Sequence, residues 1–496
     1  MQSLFSLAFA AFGVYLLALS VYRLYLSPLA KFPGPKLAAL TRWYEFYFEV
    51  IKRGQFTFHI SDLHKQYGPI VRITPHELHV ADSKFWSTLY GPGRIDKYDV
   101  LQQRQNIPRS IFATPESDLH RLRKAPLLPL FSRQRISEFQ PVIREKLDIL
   151  CSKIDEYVQS GKSFKIDRAL SAFSGDVITT YVFGQAYNHL QSPDFKETFH
   201  EPFMAASEAG HLANQFHWLW KVVGSLPDSV GMAIQPLVVP VILLARDFSA
   251  KLEAIQAGTA KENSDHPTIL YELVRSDLPP SEKTISRLTE EAQLLVAAGL
   301  TTTSWVMSVT AFYIIRDKSI YTRLRSELDT AIPDSTKPLS LQTVEKLPFL
   351  NACIREGLRL GYGVSARSPR LWPKSLQYAG WTIPPRTPVS CTIVDHNHNE
   401  EIFPDSWTFN PDRWLDPFIE QWFFSFGKGS RGCLGVNLAM AEMHMCLSTL
   451  FRRYQFELFE TDESDVKLAH DFFLISPKLD SQGVRVNVRE AERLLD

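Results

Sequence analysis

The hydrophobic positions along most of this chain repeat with the period of an α-helix. Apolar residues recur every three to four positions in long segments, which lie at 136–159, 167–183, 288–317, 318–331 and 343–360. Strand-like apolar runs are short, and they lie at 69–80, 376–393 and 471–490. Since no tandem repeat or low-complexity linker separates these segments, they predict one large domain that is mainly α with small β-sheets.

The first 26 residues form the most continuous apolar run of the chain. No charged side chain occurs in residues 1–22, and only Arg23 interrupts the run up to residue 26. About 20 helical residues span the core of a bilayer, so residues 1–26 predict a single transmembrane anchor. Lys and Arg follow this run and none precedes it, which places the rest of the chain in the cytosol. The alternative is a cleaved signal peptide, which has a basic start and a shorter apolar core.

Prolines and glycines limit two further segments. Residues 27–36 contain KFPGP at 31–35, which cannot continue a helix and predicts a stiff hinge before a catalytic domain at 37–496. A second apolar stretch at 229–245 is interrupted by Pro236 and Pro240. It is too short and too broken for a second span, so we expect a buried or membrane-facing element there.

Composition excludes several classes of protein. The 496 residues are 45% hydrophobic and 22% charged, which is typical of a globular chain with a large core. A formal net charge of +0 gives no indication of a nucleic acid partner. The five cysteines are odd in number and include no C-x-x-C, so a disulfide framework or a zinc module is not expected. A reducing compartment fits this cysteine usage best.

The segment 426–435, FGKGSRGCLG, carries the strongest chemical signal, and a helix-like run follows it at 436–451. Its glycines allow tight turns and close approach to a flat ligand. A cysteine just before a helix N-terminus is expected to have a lowered thiol pKa. Arg431 can pair with a carboxylate. Cys433 and Arg431 together therefore suit an iron porphyrin with its propionates.

Two other interpretations of this segment stay open on the residues alone. Gly427, Gly429 and Gly432 form a literal G-x-G-x-x-G, which binds dinucleotides only when it lies between the strand and helix of a βαβ unit. A loop before a core helix with a buried free thiol is the other interpretation. Elsewhere, His396 and His398 form an H-x-H without further nearby ligands, which is a weak metal site.

The segment 426–435 resembles the haem-binding signature F-x-x-G-x-R-x-C-x-G of the cytochrome P450 superfamily at every fixed position. The resemblance covers essentially the whole chain, and its details are similar to fungal members near trichodiene oxygenase. It implies the cytochrome P450 fold behind a single N-terminal helix, with haem b as cofactor. It also implies that Cys433 is the ligand of the iron and that Phe426 and Arg431 contact the haem.

Glu356 and Arg359 resemble the E-x-x-R motif of the same family. Their spacing places both side chains on one face of a helix, where they can pair. The resemblance implies that the pair is buried and locks with Arg413 from a downstream meander. Their implied role is structural, because they hold the cysteine loop in place.

Residues 297–303, AAGLTTT, resemble the family pattern A-G-x-[acid]-T-T. Threonine hydroxyls inside a helix can bond the carbonyl four residues back. The resemblance makes Thr302 the residue that steers protons and water to oxygen. The acid position holds Thr301, so we expect proton delivery to use another route, such as ordered water.

The residues that would hold the haem propionates depart from the family pattern. The helix that normally carries W-x-x-x-R reads His120 and Lys124 here. Both can donate to a carboxylate, although lysine lacks the bidentate fork of arginine. Arg370 is a further propionate residue by resemblance, and Arg367 is another.

The resemblance implies a monooxygenase that takes O2 and NADPH-derived electrons from a separate NADPH–cytochrome P450 reductase. The endoplasmic reticulum, with the catalytic domain on the cytosolic side, suits that partner. Ala298, Val364 and Phe473 are the expected pocket residues beside Thr302, and their apolar character predicts a lipophilic small molecule, with a terpenoid of fungal secondary metabolism as our hypothesis. A haem–thiolate isomerase or dehydratase that does not use O2 is the alternative function, because Thr301 replaces the acid.

Overall fold

Helices make up most of the chain in the computed structural model, which describes residues 2–196, 198–234, 239–259, 266–334 and 340–491. The α-helices are α1 Gln2–Val21, α2 Lys36–Leu40, α3 Trp43–Phe46, α4 Phe56–Tyr67, α5 Ser83–Leu89, α6 Ser117–Lys124, α7 Arg133–Ser160, α8 Ile166–Phe183, α9 His200–Ala213, α10 Leu219–Ser225, α11 Asp228–Ile234, α12 Val239–Gln256, α13 Ile269–Arg275, α14 Ile285–Arg316, α15 Lys318–Ala331, α16 Leu341–Val344, α17 Pro348–Gly361, α18 Ile393–Asn397 and α19 Val436–Arg453.

The strands are short and are spread along the chain. They are β1 Ile70–Arg72, β2 Leu78–Val80, β3 Asp96–Lys97, β4 Phe164–Lys165, β5 Arg370–Leu371, β6 Leu376–Tyr378, β7 Trp381–Ile383, β8 Pro388–Ser390, β9 Tyr454–Leu458, β10 His470–Phe472, β11 Leu474–Ser476 and β12 Arg485–Glu490. The largest sheet has the order β1-β2-β8-β5-β3, and a three-stranded sheet has the order β4-β12-β9. The prediction of a mainly α fold with small sheets is confirmed.

Helix α14 is the longest helix and the centre of the core. Its 32 residues pack against α8, α12 and α17. Close approach to α8 requires a glycine, because a Cβ atom at Gly299 would lie 2.6 Å from Cγ1 of Ile178. Leu300 and Phe312 on the same helix are fully buried. The segment that carries the threonines is therefore held in place by packing on several sides.

The predicted helix boundaries hold in the strongly periodic segments, and one of them fails at Pro348. The patterns at 136–159, 167–183 and 288–317 correspond to α7, α8 and α14. The single helix predicted at 343–360 is instead divided into α16 and α17, because Pro348 begins a new helix at its first position. The segment 376–393 likewise contains the hairpin β6–β7, with Leu376 opposite Ile383, followed by β8.

Two helices of the described chain are long and apolar enough to cross a membrane. One is Ile285–Arg316, of whose most apolar part 67% is buried, so it is the core helix α14. The other is Leu4–Leu26, none of which is buried. It consists of α1 and a following π-helical turn, Tyr22–Leu26. This exposed N-terminal helix is the candidate membrane anchor.

The second apolar stretch, at 229–245, covers most of α11 and the beginning of α12, while residues 235–238 with Pro236 lie outside the described residues. Pro240 lies in the first turn of α12, where the missing amide proton costs no helical bond. Leu244 and Phe248 of α12 are buried, and the helix packs on α14. Leu243 points outward and is 46% exposed. The stretch thus packs on the core and leaves Leu243 exposed on its outer side.

Candidate active site

One cavity of about 490 Å³ lies between α14, α6, the segment after α17 and the loop before α19. It brings together side chains that are more than 300 positions apart in the chain. The sequence-predicted residues that line it are Ala298, Thr301, Thr302, His120, Lys124, Val364, Arg367, Arg370, Phe426, Arg431, Cys433 and Phe473. Glu356, Arg359 and Arg413 are not among the residues that line this cavity.

The loop that carries Cys433 is shaped by turns that need glycine. Gly427 and Gly429 both have φ of +68°, a conformation that side chains with a Cβ adopt at a cost. A Cβ atom at Gly429 would also lie 2.6 Å from the carbonyl oxygen of Gly91. The Cys433 amide donates to the Phe426 carbonyl at 2.8 Å and closes the loop. As a result the cysteine is presented at the cavity wall, just before α19.

The thiol pKa of Cys433 differs in direction from the prediction. Desolvation raises the pKa of this thiol above its usual value, although the side chain is exposed at the cavity. The Gly435 amide and the Lys124 ammonium lower it, but their effect is smaller. The sequence predicts that the helix dipole lowers the thiol pKa of Cys433. This prediction is wrong for the protein without haem, because desolvation raises the pKa by more than the dipole lowers it. Coordination to a metal ion removes such a proton outright.

Glu356 and Arg359 form a fully buried pair on α17. Nε of Arg359 donates to Oε2 of Glu356 at 2.9 Å, and Nη2 donates to Oε1 at 2.8 Å. Nε of Arg413 also donates to Oε1 of Glu356, at 3.1 Å. Trp414 Nε1 and the Asn410 amide add bonds of 2.8 Å and 2.9 Å to the same carboxylate. The pair thereby joins α17 to the 3₁₀ turn Pro411–Leu415.

This locked region is connected to the cysteine loop. Oγ of Ser425 donates to the Leu358 carbonyl on α17 at 3.2 Å. Nη1 of Arg359 donates to the Asn397 and Ser406 carbonyls at 2.8 Å and 2.6 Å. A displacement of α17 would therefore be transmitted directly to the segment before Cys433.

Basic side chains gather at one side of the cavity without carboxylate partners. They are Lys97, His120, Lys124, Arg370 and Arg431, and we call them the basic cluster. None of them forms an ion pair with a carboxylate of the described residues. Their donors bond backbone carbonyls instead, as in Arg431 Nη1 to Thr114 at 2.7 Å and Lys124 Nζ to Ser430 at 2.9 Å.

The positive charges of the basic cluster repel one another. Burial, followed by the charges of Arg370 and Arg431, lowers the pKa of Lys97 well below its usual value. Burial and the four neighbouring cations lower the pKa of His120 to about 3. Uncompensated positive charge in a partly buried site favours the binding of an anion. The two propionates of haem supply such anionic charge, so the residues present fit this group beside Cys433.

The threonines of α14 also line the cavity. Oγ1 of Thr301 donates to the Ala297 carbonyl at 2.7 Å, and Oγ1 of Thr302 donates to the Ala298 carbonyl at 2.9 Å. These are the bonds to the carbonyl four residues back that the sequence predicts. Thr301 is buried and carries no ionisable proton, while Thr302 is half-buried. The position that holds an acid in the family pattern is thus neutral here.

Residues 35–481 match the family model described as Cytochrome P450. The chain belongs to the cytochrome P450 family. This P450 is similar to the cytochrome P450 monooxygenase sdnE of Sordaria araneosa, with 44% identity over 96% of each chain. It is also similar to the tryptophan 6-hydroxylase fscE of Fusarium equiseti, with 41% identity over 95% of this chain and 94% of that protein. Its fold matches the crystal structure of a cytochrome P450 (CYP102L1), with a TM-score of 0.71, 14% identity, and coverage of 88% and 94% of the two chains.

These relatives support a monooxygenase, and therefore an oxidoreductase, and they confirm the resemblance to fungal members of the family. The isomerase or dehydratase alternative is not favoured. The dinucleotide alternative is not favoured either, because residues 423–428 form no strand and Gly429–Arg431 is a 3₁₀ turn. Membership of the P450 family implies haem as the cofactor.

The H-x-H pair is engaged in packing in this P450. Nδ1 and Nε2 of His396 lie 2.9 Å and 2.7 Å from the Ser83 hydroxyl and the Trp422 carbonyl. The ring of His398 stacks on Trp407 at 3.5 Å, and its Nε2 lies 2.6 Å from the Tyr362 hydroxyl. Burial lowers the pKa of both rings, to about 4 and about 3. Both residues therefore support the loop before the meander.

Two of the predicted basic residues have partners that the sequence does not indicate. Nε of Arg367 donates to Oε1 of Glu77 at 2.8 Å, and its charge is also paired with Glu45. We therefore do not assign Arg367 to the haem propionates. Lys124 bonds the carbonyls of Ser430 and Gly432 and so ties α6 to the cysteine loop.

Sequence reasoning missed Lys97, Asn410 and Trp414. Lys97 is buried in β3, a strand of two residues, and no motif surrounds it. Only its position opposite Arg370 in the sheet brings it to the cavity. Asn410 and Trp414 flank the predicted Arg413, but their bonds to Glu356 depend on how the meander folds back on α17.

Proposed function

We propose that this P450 binds haem b in the cavity, with Cys433 as the ligand of the iron, and inserts one atom of O2 into a lipophilic small molecule. One observation carries the proposal. Cys433, the basic cluster without carboxylate partners and the half-buried Thr302 all face the same cavity. A thiolate ligand, an anion site and a hydroxyl are the three parts that the reaction needs from the protein.

The side chains of this P450 would divide the work as follows. Lys97, Arg370 and Arg431 would hold the haem propionates with His120 and Lys124 beside them. When bound, haem with a thiolate ligand supplies the chemistry of O–O bond cleavage. The Thr302 hydroxyl donates to the Ala298 carbonyl, so its oxygen remains free to accept a hydrogen bond from a donor in the cavity. Because Thr301 is neutral, protons would reach Thr302 through water rather than through a carboxylate.

The substrate would be a lipophilic compound of fungal secondary metabolism. Apolar side chains such as Ala298, Val364 and Phe473 line the cavity together with Thr302. A terpenoid fits this wall. The relative from Fusarium equiseti is named for hydroxylation of tryptophan, so an aromatic compound is the second class to be tested.

We further propose that residues 1–26 anchor the protein in the membrane of the endoplasmic reticulum, that 27–36 form a hinge, and that 37–496 form the catalytic domain in the cytosol. There a separate NADPH–cytochrome P450 reductase would supply electrons. An exposed aromatic surface on the domain supports membrane contact. Trp43 and Trp218 are each more than half exposed, and both rings contact Phe216. Tryptophan is enriched at membrane–water interfaces.

Replacement of Cys433 by alanine tests the proposal. The reduced, carbon-monoxide-treated protein should show the Soret band that gives the P450 family its name, and Cys433→Ala should abolish both this band and NADPH-dependent product formation. Cys151→Ala is the matched control, because Cys151 is buried in α7 away from the cavity. A normal band in Cys433→Ala, or product formation without NADPH and reductase, would contradict the proposal.

A further inference from the structure

A second charged side chain meets the cavity apart from the basic cluster. Arg104 lines the cavity and is only 3% exposed. Its Nε and Nη1 atoms have no hydrogen-bond partner in the described structure. The neighbouring Gln105 also lines the cavity, and neither its amide nitrogen nor its amide oxygen has a partner. A buried guanidinium and a buried amide without partners are strongly unfavourable, which points to a missing ligand.

No carboxylate of the described residues forms an ion pair with Arg104. Its pKa is influenced most by burial and next by Glu49 and Asp471, yet neither forms an ion pair with it. Oδ1 of Asp471 already accepts from Ser365 Oγ and from the Phe473 amide, both at 2.8 Å. Oε2 of Glu49 has no hydrogen-bond partner either, and burial raises the pKa of this carboxyl well above its usual value. Nε and Nη1 of Arg104 are therefore satisfied by neither carboxylate and are free to bond a ligand in the cavity.

The backbone of Arg104 is held in position, and its guanidinium lies against an aromatic ring. The backbone carbonyl of Arg104 accepts a bond of 3.2 Å from Trp220 Nε1. Helix α9 approaches it closely, because a Cβ atom at Gly210 would lie 2.7 Å from the same carbonyl oxygen. The guanidinium lies over the ring of Phe473, 5.5 Å from its centre. Phe473 in turn contacts Phe112 edge-on at 5.4 Å, so an aromatic wall adjoins the charged group.

Arg104 does not belong to the basic cluster assigned to haem. The charges that influence His120 are those of Lys97, Lys124, Arg370 and Arg431. The charges that influence Arg104 are Glu49, Asp471, Arg367 and Glu45. Arg104 is thus a separate charged position at the cavity wall, with carboxylates nearby, and the haem propionates do not account for it.

We propose that Arg104, assisted by the amide of Gln105, binds a carboxylate group of the substrate, so that this P450 acts on a lipophilic acid. Guanidinium binds carboxylate through paired hydrogen bonds, and the ring of Phe473 offers an apolar surface to the rest of such a molecule. This inference rests on the proposed function and narrows its substrate class. It favours terpenoid acids and aromatic acids over neutral hydrocarbons.

A series of haem-directed probes tests the inference without knowledge of the natural substrate. The probes are ω-(imidazol-1-yl)alkanoic acids of increasing chain length, each paired with its primary amide. The imidazole nitrogen coordinates haem iron and shifts the Soret band, so Kd is read by titration of the full-length, haem-loaded protein. At the best chain length the acid should bind at least tenfold more tightly than its amide, a difference of about 1.4 kcal/mol.

Variants of one loop identify the residue responsible. Arg104→Gln should abolish the preference for the acid, and Arg104→Lys should retain part of it. Arg109→Gln is the matched control, because Arg109 lies five positions along the chain, is 57% exposed, pairs with Glu290 and does not line the cavity. It should retain the full preference.

The outcomes separate this inference from the proposed function. Absence of the carbon monoxide band in wild-type protein contradicts the haem–thiolate proposal itself. A normal band with equal affinity for acid and amide at every chain length overturns the role of Arg104 alone. Retention of the preference in Arg104→Gln overturns it as well. If Arg104→Gln does not load haem, the wild-type comparison and Arg104→Lys still decide.

Discussion

Thr302 and Thr301 use their hydroxyls in the same way but face different surroundings. Each donates to the carbonyl four residues back on α14. Thr301 is buried, whereas Thr302 is half-buried at the cavity. A hydroxyl that donates one hydrogen bond can still accept another through its lone pairs. Thr302 can therefore hold a water or an oxygen species in the cavity. Thr301 can offer neither an ionisable proton nor comparable access.

Removal of the Thr302 hydroxyl should separate electron consumption from product formation. Thr302→Ala should keep the carbon monoxide band, because the Thr302 hydroxyl bonds within α14 and not to the cysteine loop. Product formed per NADPH consumed should fall on the order of tenfold or more, which is typical for loss of a positioned proton-transfer group. The measurement is the ratio of product to NADPH oxidised.

Ser308→Ala provides the control for the Thr302 variant. Ser308 lies on the same helix, is buried and donates to the Ser304 carbonyl at 2.7 Å, but it does not line the cavity. Its coupling ratio should match that of the wild type. A wild-type ratio in Thr302→Ala would show that protons reach the site by a route that does not use this hydroxyl.

At the scale of elements, α17 and the turn Pro411–Leu415 are joined through one buried carboxylate. Glu356 accepts hydrogen bonds from Arg359, Asn410, Arg413 and Trp414. A buried ion pair adds little net stability, but removal of one partner leaves the other charge uncompensated. The cysteine loop depends on this joint, because Ser425 bonds to α17.

Glu356→Gln should therefore destabilise the fold strongly. Loss of one partner from a buried pair costs about 3–5 kcal/mol, which is a large part of the stability of a typical domain. We expect a lower midpoint of urea denaturation and a smaller haem-loaded fraction.

Glu463→Gln is the matched control for the Glu356 variant. Glu463 pairs with Arg316 at 2.6 Å, but both side chains are well exposed, so its loss should cost about 1 kcal/mol or less. Equal denaturation midpoints for the two variants would contradict the structural role of Glu356.

At the scale of the whole molecule, one apolar helix stands outside a packed domain. None of Leu4–Leu26 is buried. The domain meets the end of this helix through Arg72, whose Nη1 donates to the Arg23 carbonyl at 2.8 Å. Arg23 is therefore bonded to the packed domain, whereas helix α1 before it stands outside the domain.

Deletion of residues 2–21 should release the protein from membranes without unfolding the domain. The deletion retains Arg23 and its bond to Arg72, so the carbon monoxide band should persist. Full-length protein should sediment with the membrane fraction, and the shortened chain should remain in the supernatant. N-terminal sequencing of the full-length product is the control, since a mature chain that begins after residue 26 would indicate a cleaved signal peptide.

Local patterns along the chain were sufficient for the long helices and the family. The repeat of apolar positions predicts α7, α8 and α14. The spacing of residues around Cys433 matches the haem signature, and the spacing of Glu356 and Arg359 predicts their pair. These signals are readable because each depends on residues close together in sequence. The division of 343–360 at Pro348 was missed because the apolar period continues across the break.

The remaining features depend on contacts between distant segments, which no local pattern records. Lys97 and Arg104 look like ordinary loop cations in the sequence, and only the packing of β3 against β5 and of α9 against Arg104 brings them to the cavity. The raised thiol pKa of Cys433 arises from desolvation by many segments at once. Local chemistry therefore identified the family, whereas tertiary packing decided which charges stay unpaired and so which ligands the cavity can accept.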